Sequence, residues 1–405
     1  MKPIVRAGRM KPVHSDIRGP LFVEAMKRQK QGIDILKLNT GNPATFGFGL
    51  PDSIKNALIE HMQDGVGYCD FKGMPQARQA ICDYETSKGI KGITSDDVFI
   101  GNGVSEVVSF ALTPLLNDGD EVLVPSPSYS LWGNSVYLED GKPVFYTCDE
   151  QANWYPDIKD IRSKITDKTK AIVIINPNNP TGVLYPKELL LEIIQIARES
   201  GLLIFADEIY DRLVMDGKQH ISLASLTEDV PVITLNGLSK SHCLCGYRCG
   251  WMVISGPREL TEDYRQGIIQ LTSLRLCANT MAQIVIPAAL DDMETPASMV
   301  RPGGRIYEQR EATVRELEKI DGLSFVKNDA AFYVFPKLDV KKFNITNDKQ
   351  FAHDLLDATN ILLVPGSGFD WKDPDHFRIV MLPQADILSD AIRRMGTFLD
   401  GYKQK

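Results

Sequence analysis

An α/β fold with a largely parallel sheet is what this sequence predicts, and three observations carry that expectation. Short apolar runs recur between Asp97 and Ser255, each of strand rather than helix length. Amphipathic helical patterns separate them. The runs are apolar at consecutive positions rather than alternate ones, as in strands covered on both faces.

In chain order, strands are expected at "DVFIGNG" (97–103), "EVLVPSP" (121–127), "KPVFYTC" (142–148), "KAIVIINP" (170–177), "LLIFADE" (202–208), "PVITLNG" (231–237) and "GWMVIS" (250–255). Between them, "GVSEVVSFALTPLL" (103–116) places Val104, Val107, Val108, Ala111 and Leu115 on one helical face. "KELLLEIIQIARESG" (187–201) does the same with Leu190, Ile193, Ile194 and Ala197, and glycine at Gly201 is a helix stop. Strands alternating with helices give crossover connections, hence parallel neighbours. Ligands then bind beyond the carboxyl ends of the strands. The tail differs. "RPGGRIYEQREATVRELEKI" reads as a helix, and "LSFVKNDAAFYVFPKL", "ILLVPGSGF" and "HFRIVML" read as strands of a second α+β unit, with "METPASMVRPGG" as the boundary.

The 405 residues suit one large or two medium domains, and 43% hydrophobic with 24% charged residues is ordinary for a soluble globular chain. A net charge of −8 without a long basic cluster argues against nucleic acid as a partner. No apolar run reaches membrane-spanning length, and the basic N-terminus lacks the apolar core of a secretory signal, so the cytoplasm is expected. Seven cysteines, an odd number, point to reduced thiols. Cys243, Cys245 and Cys249 crowd beside His242, but not with the paired C-x-x-C spacing of zinc sites; they read as small buried thiols and no metal is expected.

The strand ends hold the unusual polar residues. "FADEIY" ends an apolar run with Asp207 and Glu208, "IINPNNPTG" ends one with two Asn-Pro pairs, and "FIGNGVSE" passes through two glycines into a helix. "LNGLSKSHCLCGYRCGW" puts a lone lysine, Lys240, just past a buried strand and Arg248 on the same loop. Each has a bland reading. "GNGVSE" lacks the third glycine of a dinucleotide fingerprint, "NPNNPTG" is turn chemistry, Asp207 could cap a helix, and Lys240 could be a solvated surface lysine. Together they form a specific set. A lysine for a covalent link, an aspartate for a pyridinium nitrogen, and a helix N-terminus with an arginine for a phosphate are what pyridoxal 5'-phosphate requires.

At this point the chain resembles the class I/II, fold-type I, pyridoxal-phosphate-dependent aminotransferases over nearly its full length. The matching stretches are "LNTGNP" (38–43), "GYCDFKGMPQARQAI" (67–81), "GNGVSE" (101–106), "SPSYSLW" (126–132), "NPNNPTG" (176–182), "ADEIYD" (206–211), "LSKSHCLCGYRCGW" (238–251) and "HFRIVML" (376–382). Within the family, "HSDIRGP" (14–20) is similar to an element of alanine aminotransferases, and the likeness is to the bacterial glutamate–pyruvate type.

The resemblance implies Lys240 as covalent anchor and proton carrier, and Asp207 on the ring nitrogen. It implies Tyr210 and Asn179 on the ring oxygen, Tyr129 on the ring face, and Val104, Ser105, Ser239 and Arg248 around the phosphate. Tyr68 would reach the phosphate of a neighbouring subunit, so a homodimer is implied. Gly41 and Asn179 would line the substrate site, Arg378 would grip the α-carboxylate, and Arg18 would meet a side-chain carboxylate. It implies a seven-stranded mostly parallel sheet in a large domain (45–298), and a small domain of 1–44 with 299–405. Two departures stand out: Gly237 where many relatives have Ser or Thr, and Ser15 where the alanine type usually has Tyr.

The implied activity moves an amino group between alanine or glutamate and pyruvate or 2-oxoglutarate. Competing readings are transamination of aspartate, branched-chain or aromatic substrates, a β-eliminating lyase on sulfur amino acids, a ligand-sensing regulator domain, and a nicotinamide-dependent dehydrogenase. The regulator usually needs a DNA-binding domain for which 405 residues leave no room, and the dehydrogenase leaves Lys240 without a role.

Overall fold

The computed structural model describes residues 2–405. Every apolar run expected between Asp97 and Ser255 becomes a strand of one eight-stranded sheet. In chain order the strands are β1 (Val98–Asn102), β2 (Glu121–Ser126), β3 (Lys142–Asp149), β4 (Tyr155–Pro156), β5 (Thr169–Ile175), β6 (Leu203–Asp207), β7 (Val232–Gly237) and β8 (Cys249–Ser255). Their spatial order is β1-β8-β7-β6-β5-β2-β3-β4. Neighbours are parallel except around β8, which opposes both β1 and β7, and at the edge, where β4 opposes β3. The seven longer strands correspond to the seven expected. The extra β4 is two residues long and includes a proline, which is tolerated at an edge because its missing N–H is not needed there.

Both faces of the sheet are covered, which explains the unbroken apolar runs. On β6, Phe205 faces a cluster with Val107, Val108, Ala111, Trp132 and Ile268, while Ile204 and Ala206 face one with Leu190, Ile193, Ile194 and Ala197. The helix Lys187–Ser200 stops at Gly201, whose φ of 64° is the left-handed turn that glycine adopts without strain. The helix Val104–Leu112 ends short of the expected 116: Thr113 is still helical, but Pro114 has no N–H to donate to the carbonyl four residues back.

The tail builds a second core. The helix Arg305–Leu317 packs against Ala385–Asp400, and Phe377–Val380 is flanked antiparallel by Tyr333–Val334 and Val364–Pro365. Leu36–Lys37 pairs in parallel with Ile361–Leu362, and Leu38 joins Leu317, Val334, Phe351, Ile379 and Met395 in one apolar cluster. The Pro- and Gly-containing stretch before it holds a short helix, Glu294–Val300, with Pro296 in its first turn, where no amide is required. Among the described residues, no single helix is long and apolar enough to cross a membrane.

With β8 the reversed strand, β1, β2, β5, β6 and β7 all end on one rim. That rim carries the candidate residues.

Candidate active site

Lys240 lies on the single helical turn Leu238–Ser241 directly after β7. Its Nζ donates to the Gly41 carbonyl at 3.0 Å and sits 5.9 Å from the centre of the Phe332 ring. Gly41 brings that carbonyl close only because it has no side chain: a Cβ there would lie 2.4 Å from the Tyr333 hydroxyl. Burial disfavours the Lys240 ammonium, but Tyr333, Cys245 and Tyr129 outweigh it and hold the group above its usual range.

Asp207 is the last residue of β6 and is buried. The Trp132 indole Nε1 donates to its Oδ2 at 3.1 Å, and the Ile209 backbone N–H donates to Oδ1 at 3.3 Å. Burial pushes the carboxyl up to about 6, against the pull of these two donors. The Tyr210 and Tyr333 hydroxyls are 2.9 Å apart beside it.

A buried ionic cluster braces these strand ends. Lys88 Nζ lies 2.7 Å from Glu85, 2.8 Å from Glu208 and 3.1 Å from Asp211. Asn236, on β7, donates to Asp211 at 2.7 Å, so the loop after β6 is tied to the strand that leads to Lys240. Burial lifts the Glu85 carboxyl, whereas at Asp211 burial is outweighed, chiefly by the Lys88 ammonium, and its carboxyl stays below the usual range.

At the end of β1, the helix Val104–Leu112 opens after Gly103, whose φ is 85°. Arg248, in a left-handed conformation with φ 57°, donates from Nη2 to Ser105 Oγ at 3.2 Å and from Nη1 to the Cys245 carbonyl at 2.9 Å. A Cβ on Gly103 would lie 2.2 Å from Arg248 Nη2, and one on Gly250 would lie 2.4 Å from the Val104 nitrogen. The two glycines therefore create the cradle, in which a helix N-terminus, a hydroxyl and a guanidinium converge. Such a set binds phosphate. Glu106, which breaks the glycine fingerprint, accepts from the Asn102 backbone N–H at 2.7 Å and from Arg275 at 2.6 Å, so it braces the turn.

Arg378 is 1% exposed and has no carboxylate partner among the described residues. Its Nη1 donates to Asn179 Oδ1 at 2.9 Å, Nη2 donates to the Asn39 carbonyl, and its Nε is buried without a partner. The Tyr333 and Phe369 rings flank it, each centre 4.6 Å away. Burial lowers its pKa from the usual guanidinium range. A buried cation facing only neutral groups is costly unless an anion arrives.

Lys240, Gly41, Tyr210, Asn179 and Arg378 are thus joined through short contacts, with Tyr333 at the centre, Asp207 ends the adjoining strand held by Trp132, and Val104, Ser105 and Arg248 form the cradle. Ser239 offers its carbonyl to the Cys245 thiol at 2.9 Å. Tyr129 is 38% exposed at the rim. Tyr68 is 82% exposed and stands apart from these contacts within one chain. Arg18 is exposed at the end of a short turn, Asp16–Arg18, without an ion pair among the described residues. Its neighbour Ile17 accepts from Asn39 Nδ2 at 2.8 Å, which links that turn to Arg378.

Both sequence departures have a physical setting. A Cβ at Gly237 would meet the Cys249 carbonyl at 2.5 Å, so this strand pair has no room for Ser or Thr. Ser15 is exposed, while His14 beside it lies 3.1 Å from Asp370 and 3.4 Å from Asp16. The thiols have separate partners: Cys249 is buried on β8, Cys243 points to Met299 Sδ at 3.9 Å, and His242 is held by Ser241 and the Asp292 carbonyl. Sequence reasoning did not single out Trp132, Tyr333 or Asn39. Trp132 and Asn39 sit in quoted motifs, while the only signal for Tyr333 is its place in an aromatic run, "AFYVF".

Residues 33–392 match the family of aminotransferases of class I and II. The chain belongs to that family and is an aminotransferase, an enzyme that moves an amino group between an amino acid and a 2-oxo acid. It is 50% identical to the glutamate-pyruvate aminotransferase AlaA of Haemophilus influenzae over 404 residues, covering 100% of both chains. Among solved structures, an aminotransferase from Escherichia coli superposes with a TM-score of 0.98 at 47% identity, covering 100% of both chains. An alanine aminotransferase from Pyrococcus furiosus gives 0.93 at 40% identity, covering 98% of this chain and 100% of the other.

Proposed function

We propose that this enzyme holds pyridoxal 5'-phosphate on Lys240 and transfers the amino group between glutamate or alanine and pyruvate or 2-oxoglutarate. The observation that carries the reading is the buried Arg378 guanidinium without a carboxylate, linked to the Lys240 site through Tyr333, which lies against both Arg378 and Gly41. Its fork suits the α-carboxylate shared by all these substrates. The names of the relatives, glutamate-pyruvate and alanine aminotransferase, support the substrate pair.

The residues fit the cofactor. The cradle of Gly103, Val104, Ser105 and Arg248 would take its phosphate, with Ser239 alongside. Asp207 would face the ring nitrogen, Tyr210 and Asn179 the ring oxygen, and Tyr129 the ring face. When bound, the cofactor supplies an electron sink for charge developing at the substrate Cα. The chain's own residues do the rest. Asp207, buried, favours a positive charge opposite it. Arg378 and Asn179 orient the substrate by its carboxylate. Lys240, with its amine free, would take the proton from the substrate Cα and return it two atoms further on, across the nitrogen. Gly41 lines the substrate site with its backbone, and Arg18 meets the second carboxylate of glutamate.

Further parts of the reading are a large domain over 45–298, a small domain of 1–44 with 299–405, a cytoplasmic location, and a homodimer in which Tyr68 reaches the partner's phosphate. Exposed Val66 (76%), Tyr68 (82%) and Leu274 (82%) support a covered face. The test is a panel of amino acids against pyruvate and 2-oxoglutarate. New amino acid formed one-for-one with new 2-oxo acid supports the reading; ammonia with pyruvate from cysteine-type substrates points instead to a β-eliminating lyase.

A further inference from the structure

We propose that Trp132 is a positioning residue for Asp207: its indole N–H fixes one carboxylate oxygen and leaves the other to face the ring nitrogen of the cofactor. The inference rests on the cofactor reading above. The bond is Trp132 Nε1 to Asp207 Oδ2 at 3.1 Å, and both residues are buried, Trp132 at 0% and Asp207 at 6% exposure. Solvent therefore has little access to replace the donor. The other oxygen, Oδ1, takes only the longer Ile209 N–H at 3.3 Å and keeps acceptor capacity.

The local sequence explains how the indole reaches this place. Phe205 and Asp207 are two apart on β6 and share a face. The Trp132 ring lies against Phe205, centres 5.3 Å apart, so the same indole packs on one side chain and donates to the next. Trp132 lies in the first turn of the helix Leu131–Leu138, which sits close to the sheet because residue 133 is glycine: a Cβ there would lie 3.1 Å from the Phe145 ring. Tyr129 belongs to the same short segment. One stretch, 129–132, thus supplies both the residue proposed for the ring face and the donor that orients the ring-nitrogen partner.

Two substitutions separate donation from packing. Trp132→Phe keeps an aromatic ring and loses the N–H. Trp132→His loses bulk, yet its five-membered ring carries a nitrogen close to where the indole nitrogen lies. In cofactor-free protein, the protonation of Asp207 is followed by NMR of carboxyl-labelled aspartate; in loaded protein, the Kd for pyridoxal phosphate and the kcat and KM of the alanine half-reaction are measured. Loss of one hydrogen bond to a charged group predicts that Trp132→Phe raises the Asp207 midpoint. It also predicts a Kd weaker by roughly tenfold or more and a lower kcat at nearly constant KM. Trp132→His recovers most of the midpoint and Kd. If Phe matches wild type within twofold while His is the worse variant, Trp132 only fills space and the inference is overturned. If Trp132→Phe does not fold, Trp132→His alone decides: a wild-type midpoint supports donation, and a raised one refutes it. Should wild-type protein fail to bind pyridoxal phosphate, the cofactor reading falls, while the Asp207 midpoints still judge the Trp132 bond.

Discussion

Arg378 in the free enzyme faces carbonyls and aromatic rings, and the carboxylate it lacks is the group every amino acid substrate brings. Charge-assisted hydrogen bonds are worth roughly 1.5–3 kcal/mol each. Arg378→Ala should lower kcat/KM by about tenfold to a few hundredfold for alanine and glutamate alike. Arg378→Lys should recover part, since a point charge lacks the planar fork. Steady-state kinetics on both substrates checks this, and a loss confined to one contradicts the shared-carboxylate role. Asp207 gives a stability prediction. Its carboxyl titrates near 6 in the fold against an ordinary 3.8, so the folded chain binds the proton more tightly. Stability of the cofactor-free enzyme therefore falls as pH rises through that window. Asp207→Asn should remove a cost of about 3 kcal/mol at most above neutral pH and raise the Tm of the cofactor-free enzyme there, while slowing transamination. Thermal unfolding across pH measures it; an Asn variant less stable than wild type above neutral pH would count against the buried-carboxylate argument.

At the scale of elements, two segments decide how the rim is held. The pairing of β7 with β8 is so close at Gly237 that a Cβ would lie 2.5 Å from the Cys249 carbonyl. Gly237→Ser, although it restores a residue type common in relatives, should push the strands apart and displace the Lys240 turn. A lower Tm and a weaker Kd for pyridoxal phosphate are expected, and tighter binding would show that the cradle had lost a hydroxyl contact instead. The N-terminal segment is pinned differently. His14 sits between Asp370 and Asp16, hydrogen bonds to Asp16 first and Asp370 second raise its pKa to about 9, and Asn134 clasps its backbone at 2.6 and 3.1 Å. A raised histidine contributes fully below its ordinary 6.5 and loses that contribution as pH rises through about 9. Trypsin should therefore cut after Arg9 faster above about pH 9 than near neutrality, relative to a reference peptide. His14→Ala should be cut fast at both. Equal rates for wild type would remove the histidine from the anchoring.

For the whole molecule, the long strands were legible in the sequence because both faces of the sheet are buried, which makes their runs unbroken. The short strands of the second core were legible as apolar runs, but Leu36–Lys37 and β4 were not: Leu36–Lys37 is defined by its partner Ile361–Leu362 far along the chain, and the two residues of β4 are too few to show a pattern. The same division holds at the site. Asp207 and Lys240 were legible as polar residues ending apolar runs, and Arg378 only through the family resemblance of "HFRIVML". Trp132 and Tyr333 look like core aromatics in sequence, and only the fold brings them to Asp207 and Arg378. The proposed homodimer makes its own prediction: Tyr68→Ala and Lys240→Ala subunits, each nearly inactive alone, should regain roughly a quarter of wild-type activity when mixed and reassociated, because half the dimers then hold one complete site. No regain would assign Tyr68 to the outside of the site. The most direct test of the account is chemical. Enzyme loaded with pyridoxal phosphate is reduced with borohydride, digested and mapped by mass spectrometry. The account predicts one stable adduct, on Lys240, absent from Lys240→Ala; an adduct on another lysine, or none, would contradict it.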